Sequence, residues 1–86
     1  MKKWNINKDE QVIEVQNFSP QLPNIEPGEL LVLEGRAPIW AYGICFHMAH
    51  GSPAGAIGCY DPKLGGAVIV ATHSPKYKIG EIIKLA

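Results

Sequence analysis

The chain has 86 residues, 47 % of them hydrophobic and 19 % charged, and a formal net charge of zero. This length predicts one domain, residues 1–86, with a small core that a second copy of the chain would help to complete. The neutral charge argues against an overall basic nucleic-acid-binding surface, and the polar residues after Lys2 and Lys3 argue against a secretory signal peptide.

Charge is unevenly distributed along the chain. Residues 1–35 contain three bases and six acids, whereas residues 36–86 contain five bases and two acids. If a small anion binds, it is expected on the second half; the alternative is a chance fluctuation in composition. The two cysteines, Cys45 and Cys59, lack a metal-binding spacing, so we expect buried free thiols in a cytoplasmic protein.

The first predicted elements are a strand, a loop and a second strand. The sequence QVIEVQNF (11–18) alternates imperfectly and favours a strand, and the proline-rich segment 19–28 favours a loop. The run ELLVLEG (29–35) is continuously apolar, as is typical of a strand covered on both faces.

A helix is predicted over about 37–50. Pro38 suits its first turn, and Gly51 follows its last apolar position as a stop signal. The helix is apolar nearly all round, so the sheet would bury one side and a second subunit would bury the other.

Two further strands are predicted over 53–60 and 66–73, joined by the turn sequence DPKLG. A loop over 74–80 and a short strand over 81–86 complete the chain. These elements predict a small α+β domain of about five strands with one main helix packed on the sheet.

Three polar residues lie where predicted elements end: His50 after the helix, Asp61 after one strand and His73 after the next. If the two strands form a hairpin, Asp61 and His73 lie at opposite ends of it, roughly 20 Å apart. His50 begins the connection into the first of these strands, so it too is expected away from Asp61. A single site would then need residues from two subunits.

Each candidate residue has two interpretations. Asp61 is a metal ligand or general acid/base, or the first residue of a type I turn. Lys63 contacts phosphate or is a solvated turn residue. His50 is a base or metal ligand, or a histidine favoured at a helix C-terminus, and His73 is a base or an ordinary strand-end residue. The sequence contains no zinc-site spacing and no nucleotide-binding glycine motif.

Two longer stretches, LEGRAPIWAYGICFHMAH and GAIGCYDPKLGGAVIVATHSPKYKIGEII, resemble the small ring-nuclease family of type III CRISPR systems. The resemblance covers roughly residues 29–83. That family is manganese-dependent, and some of its members are fused to a kinase-like domain. The resemblance implies a ferredoxin-like subunit that forms a homodimer, and dimers that associate into a tetramer around a cyclic oligoadenylate.

The activity implied is metal-dependent cleavage of cyclic tetra-adenylate to linear di-adenylate, which removes the second messenger made by the CRISPR effector. The family is also linked to manganese-dependent trimming of single-stranded RNA 3′ ends. Two further interpretations are a dimer that binds the ring without cutting it, and a structural subunit of a larger complex.

Carried over to this sequence, the resemblance implies catalytic roles for His50, Asp61 and His73, with Asp61 and His50 also as Mn²⁺ ligands. It implies substrate binding by Arg36 and Lys63. The family turn is commonly Asp-Pro-Arg, whereas this chain has Asp-Pro-Lys. Lysine keeps the charge but loses the two-pronged geometry with which arginine binds phosphate.

Overall fold

A computed structural model describes residues 1–85 as one five-stranded sheet and one α-helix. The elements follow in the order β1 (Lys2–Asn5), β2 (Leu30–Glu34), α1 (Ile39–His50), β3 (Ala56–Asp61), β4 (Gly66–Thr72) and β5 (Ile82–Lys84). The strands lie side by side in chain order, with β1, β2 and β3 parallel and β4 and β5 antiparallel to their neighbours. The carboxyl ends of β1, β2 and β3 therefore meet at one end of the sheet.

The continuous apolar run of β2 is buried because both faces of the sheet are covered. Leu31 and Leu33 pack into a cluster with the inner side of α1 and residues of the 6–29 connection. Leu30 and Val32 belong to a second cluster on the opposite face, which Tyr77, Tyr60, Ile83 and Leu85 cover in part. The prediction of a strand covered on both faces is confirmed.

The predicted helix is also confirmed, with Pro38 directly before its first residue and Gly51 directly after its last. Its inner side carries the buried residues Ala41, Cys45 and Ala49, spaced four apart so that they lie on one face. The other side is also apolar, and the side chain of Ile39 there is 89 % exposed. Apart from the exposed His47 and His50, the helix is thus apolar on its outer side as well, and the sheet covers only one side of it.

The predicted strand over 11–18 is wrong. This segment is irregular, with one turn of 3₁₀ helix at Val15–Asn17, and it belongs to the long connection between β1 and β2. Its alternating apolar residues serve another purpose, because Ile13 and Phe18 pack on the α1 side of the sheet and the ring of Phe18 meets that of Trp40 edge-on at 5.7 Å. The first strand is β1, which the sequence analysis missed.

The second half follows the prediction with shifted boundaries. β3 begins at Ala56 and not at residue 53, and it includes Asp61. β4 matches the predicted strand 66–73, and β5 lies within the predicted strand 81–86, of which Ala86 is outside the described residues.

The α+β class, the five strands and the single packed helix are confirmed. The ferredoxin-like β-α-β-β-α-β unit carries two helices. Residues 1–85 have the order β-β-α-β-β-β with one helix, and the irregular connection 6–29 links the parallel strands β1 and β2.

Candidate functional site

The β3–β4 hairpin separates the predicted site residues into two groups. Asp61 pairs with Gly66 at the turn, whereas Ala56 pairs with Thr72, the residue before His73, at the other end. The five residue steps between these pairs correspond to about 17 Å. We call the end with the Asp61 turn the turn end, and the end with His50 and His73 the histidine end.

At the histidine end, the rings of His50 and His73 lie side by side, with centroids 5.5 Å apart. Phe46, one helical turn before His50, packs against His50 at 5.8 Å. Both histidines are exposed. The sequence analysis treated these two histidines separately, and the structure brings them together.

Backbone hydrogen bonds fix this arrangement. The amide of His73 donates to the carbonyl of Gly55 at 2.8 Å, which holds the end of β4 against the chain entering β3. The hydroxyl of Ser52 donates to Ala49 O at 2.5 Å and accepts from Ala54 N at 3.2 Å, which closes the end of α1 directly after His50. Two exposed imidazoles held at this spacing can both contact one bound molecule.

One chain does not form the manganese site that the resemblance implies. Asp61 and His50 would both have to reach one ion, and the length of the hairpin keeps them apart. Among residues 1–85, no group of three His, Cys, Asp or Glu side chains is placed to hold a metal ion. A site with both ligands therefore requires more than one copy of the chain.

At the turn end, the carboxylate of Asp61 organises the turn. Its Oδ1 accepts from the amides of Lys63 at 2.8 Å and Leu64 at 3.4 Å, and its carbonyl accepts from Gly65 N at 2.9 Å. Asp61 therefore has the turn-forming role that was one of its two interpretations. Its Oδ2 has no hydrogen bond within residues 1–85, and the side chain of Lys63 is exposed.

Arg36 also lies at the turn end, because it follows β2 and β2 runs parallel to β3. Its carbonyl accepts from Asn7 Nδ2 at 2.7 Å, and its exposed guanidinium forms no ion pair within residues 1–85. Arg36 and Pro62 line the same cavity. The structure thus brings Arg36 and the Asp61 turn together and leaves both histidines at the far end.

The sequence analysis missed this cavity, which we call the turn-end cavity. It has a volume of about 230 Å³ and is lined by Asn5, Asn7, Glu10, Gly35, Arg36, Tyr42, Tyr60 and Pro62. The signal for it is topological, since ligands of sheets with parallel strands often bind beyond the carboxyl ends of those strands. A more open hollow of about 400 Å³, beside residues 6–20, contains none of the predicted site residues.

Tyr42 is held in the wall of the turn-end cavity. Its hydroxyl donates to the carbonyl of Gly35 at 2.6 Å. Burial, with smaller contributions from Cys59, Glu34 and Cys45, raises the pKa of Tyr42 to about 12. Tyr42 is therefore a neutral phenol at physiological pH.

The two cysteines are free, as expected, with Cys45 buried and Cys59 half-buried. Burial raises the pKa of both thiols, that of Cys45 to about 11. Both are therefore protonated near neutral pH and are weak nucleophiles. Among the helices of residues 1–85, none has the length and apolar character needed to cross a membrane.

Comparison with known proteins identifies the family of the chain. An uncharacterized protein of Aquifex aeolicus (strain VF5) is 54 % identical over 54 residues, which are 63 % of this chain and 47 % of that relative. The chain thus spans about half the length of the curated relative it matches. A family model described as CRISPR-associated protein (Cas_csx3) matches residues 6–84, nearly the whole chain. The protein therefore belongs to the CRISPR-associated Cas_csx3 family.

Proposed function

We propose that this protein is a CRISPR-associated ring nuclease that cleaves cyclic tetra-adenylate to linear di-adenylate in a manganese-dependent reaction. Family membership supports the link to CRISPR. The observation that carries the proposed chemistry is the pair formed by His50 and His73, two exposed imidazoles with ring centroids 5.5 Å apart. At this spacing one imidazole can accept the proton of an attacking oxygen while the other protonates the leaving oxygen.

The active site is shared between copies of the chain. The histidine pair of one copy meets the turn end of another, which brings Asp61 with the positive charges of Arg36 and Lys63. These charges would offset those of the phosphates in the ring. The proposed manganese site would form only in this assembly, because Asp61 and His50 of one chain cannot share an ion.

The apolar outer side of α1 supports association into a homodimer, two of which would enclose the ring as a tetramer. Two isoleucines of α1, Ile39 and Ile44, are exposed, and Ile39 is 89 % exposed. The two residues are five positions apart, about 140° around the helix, so they flank the outer side of α1, and a partner chain packed there could cover both.

The direct test incubates the protein with cyclic tetra-adenylate in Mn²⁺ or in EDTA and identifies the products by liquid chromatography and mass spectrometry. Linear di-adenylate should form only with the metal. His50→Ala should lower turnover by about 10² to 10⁴, the usual effect of losing a general acid or base, and Asp61→Asn should lower it through the loss of a metal ligand. The asparagine keeps the oxygen that accepts from Lys63 N, so the turn itself should persist. Wild-type turnover in both variants would refute the assignment.

A mixing experiment tests whether the site is shared. His50→Ala and Asp61→Asn protein are unfolded together, refolded in equal amounts and assayed against each variant alone. In a two-fold dimer with two shared sites, half of the dimers are mixed and one of their two sites is intact, so about a quarter of wild-type activity should return. No recovery, with mixed dimers present by native mass spectrometry, would place the whole site in one chain.

Lys63 favours one second candidate, a dimer that binds the ring without cutting it. Lysine offers phosphate a point charge in place of the paired donors of arginine. Intact ring that remains bound after long incubation with Mn²⁺ would support this function. Lys63→Arg would then be expected to introduce cleavage. If polyadenylated RNA is shortened while the ring stays intact, the protein is instead a 3′-end exonuclease.

A further inference from the structure

The face of the sheet on which His73 lies depends on an irregularity in β4. Ala67 and Ile69 belong to the core cluster on the face opposite α1. Because side chains alternate along a regular strand, Ala71 and His73 would lie on this same face. Ala71 instead packs against the cluster on the α1 side.

A β-bulge produces this change of face. Gly58 pairs with Ile69, and the residue before Gly58 pairs with Ala71. Val70 is thus an extra residue in β4 with no partner in β3. The extra residue moves the positions that follow it to the other face of the sheet. His73 therefore lies on the α1 side, beside the histidine that ends the helix.

The backbone of His73 is held by Gly55, which directly precedes β3. The amide of His73 donates to Gly55 O at 2.8 Å. Gly55 is itself fixed, because its amide donates to Glu29 O at 2.9 Å and a Cβ at this position would lie 2.5 Å from Gly28 O. The end of β4 is thus attached to a close crossing of two backbone segments.

The hydroxyl of Thr72 also holds this backbone. Thr72 Oγ1 donates to Ser74 O at 2.9 Å and accepts from Ser74 N at 3.0 Å. Both partners belong to the residue after His73, so the hydroxyl closes a short loop around His73, as threonine hydroxyls do with nearby backbone groups. Gly55 O lies 3.5 Å from Thr72 Oγ1, at the limit of a hydrogen bond.

Two roles of Thr72 can be separated by the choice of the side chain that replaces it. As a β-branched residue Thr72 suits a strand, and valine would serve this purpose equally well. Only the hydroxyl closes the loop around His73, and valine lacks it. Thr72→Val therefore removes the hydrogen bonds while the shape of the side chain stays nearly the same.

We propose that Thr72 is a positioning residue, whose hydroxyl holds the His73 imidazole at its spacing from His50. The hydroxyl hydrogen is donated to Ser74 O, so Thr72 acts through His73 and does not itself transfer a proton. The inference deepens the proposed function and rests on it for the effect on turnover. The geometry of the histidine pair is independent of that function.

The first test measures the histidine pair without substrate. In the wild type, ring protons of His50 and His73 should show a nuclear Overhauser effect, because the ring centroids are 5.5 Å apart. Thr72→Val should abolish this effect, and Thr72→Ser, which keeps the hydroxyl, should retain it. An effect of wild-type strength in Thr72→Val would overturn the proposal. If Thr72→Val is unfolded by its amide spectrum, Thr72→Ala takes its place.

Tyr42→Phe is the matched control for a general loss of stability. It also removes one hydroxyl that donates to a backbone carbonyl, that of Gly35 at 2.6 Å, but it does so at the turn end. The Overhauser effect between the two histidines should be unchanged in this variant. Its loss in Tyr42→Phe as well would assign the result to lower stability and overturn the specific role of Thr72.

The second test is a double-mutant cycle of ring cleavage. Thr72→Val should lower kcat by about 10- to 100-fold, as expected for a small displacement of a reacting group, with KM changed by less than about twofold. Thr72→Ser should restore kcat. In a His73→Ala background, Thr72→Val should have no further effect, because the group that it positions is absent. An equal factor in both backgrounds, or an unchanged kcat in Thr72→Val, would overturn the proposal.

The two tests separate this inference from the proposed function. If the wild type does not cut the ring, the proposed cleavage fails, and the Overhauser effects alone support or overturn the role of Thr72. If the wild type cuts the ring and Thr72→Val keeps both the Overhauser effect and kcat, the positioning role fails and the proposed function stands.

Discussion

Replacing Gly35 by alanine tests how the wall of the turn-end cavity is built. The new Cβ would overlap with Asn5 Oδ1 and lie 3.3 Å from Asn7 N. The Asn5 side chain must therefore move, which breaks its hydrogen bond with Asn7 N. The backbone must also keep a φ of +114°, which L residues with a side chain rarely adopt.

The two effects can be added. A strained backbone conformation costs about 1–3 kcal/mol, and a lost hydrogen bond costs about 1 kcal/mol. We expect Gly35→Ala to lower the free energy of unfolding by about 2–4 kcal/mol. In a domain of this size, 1 kcal/mol shifts Tm by about 4–8 °C, so Tm should fall by about 8–32 °C.

Gly65→Ala is the matched control. Gly65 also has a positive φ, +66°, but no atom of residues 1–85 lies within 4 Å of the position its Cβ would take. Thermal unfolding followed by circular dichroism should show a decrease of about 4–16 °C for this variant, from strain alone. If Gly35→Ala lowers Tm no more than Gly65→Ala does, the inferred packing of Asn5 over Gly35 is wrong.

Four further outcomes are expected. Tyr42→Phe removes the donor to Gly35 O and should lower stability by about 1 kcal/mol in urea unfolding; an unchanged midpoint would mean that this bond contributes nothing. The pKa of Cys45 rises from 9.0 unfolded to about 11 folded, so between these values the unfolded chain has lost a proton that the folded chain keeps. The free energy of unfolding should therefore fall as pH rises from 9 to 11, and it should fall less steeply in Cys45→Ala than in the wild type. Equal slopes in the two proteins would contradict this. Asp61→Asn should keep the Tm of the wild type, whereas Asp61→Ala should lower it, because only asparagine retains the turn acceptor. Ile39→Lys should shift a dimer toward monomer in sedimentation, and an unchanged mass would exclude the outer side of α1 as the contact.

The centre of the fold was predictable because its signals are local and strong. The run 29–35 and the helix 37–50 were recognised from continuous apolar sequence and from Pro38 and Gly51. β1 was missed because it is four residues long and has one buried side chain, Trp4. The alternation in 11–18 misled the analysis, since a connection lying across a sheet also needs inward-facing apolar residues.

The candidate site was predictable only where one hairpin determined the geometry. The separation of Asp61 from His73 followed from the pairing of two adjacent strands. The position of Arg36 beside the Asp61 turn depends on the parallel pairing of β2 with β3, which their sequences do not specify. Asn5 was not recognised as a candidate site residue because β1 itself was missed. Residues brought together by parallel strands come from distant parts of the chain, and no local pattern records their proximity.

The irregular connection between β1 and β2 has a consequence for the order in which the structure opens. β1 lies at one side of the sheet and pairs only with β2, and residues 6–29 must be ordered before that pairing can form. We expect amide hydrogens of β1 to exchange with solvent faster than those of β2 and β3, through a local opening that leaves the rest of the sheet folded. Because Asn5 belongs to β1, each such opening would also take apart the turn-end cavity. A ligand bound there would then slow amide exchange along β1, so occupancy would be measurable at residues that the ligand does not touch.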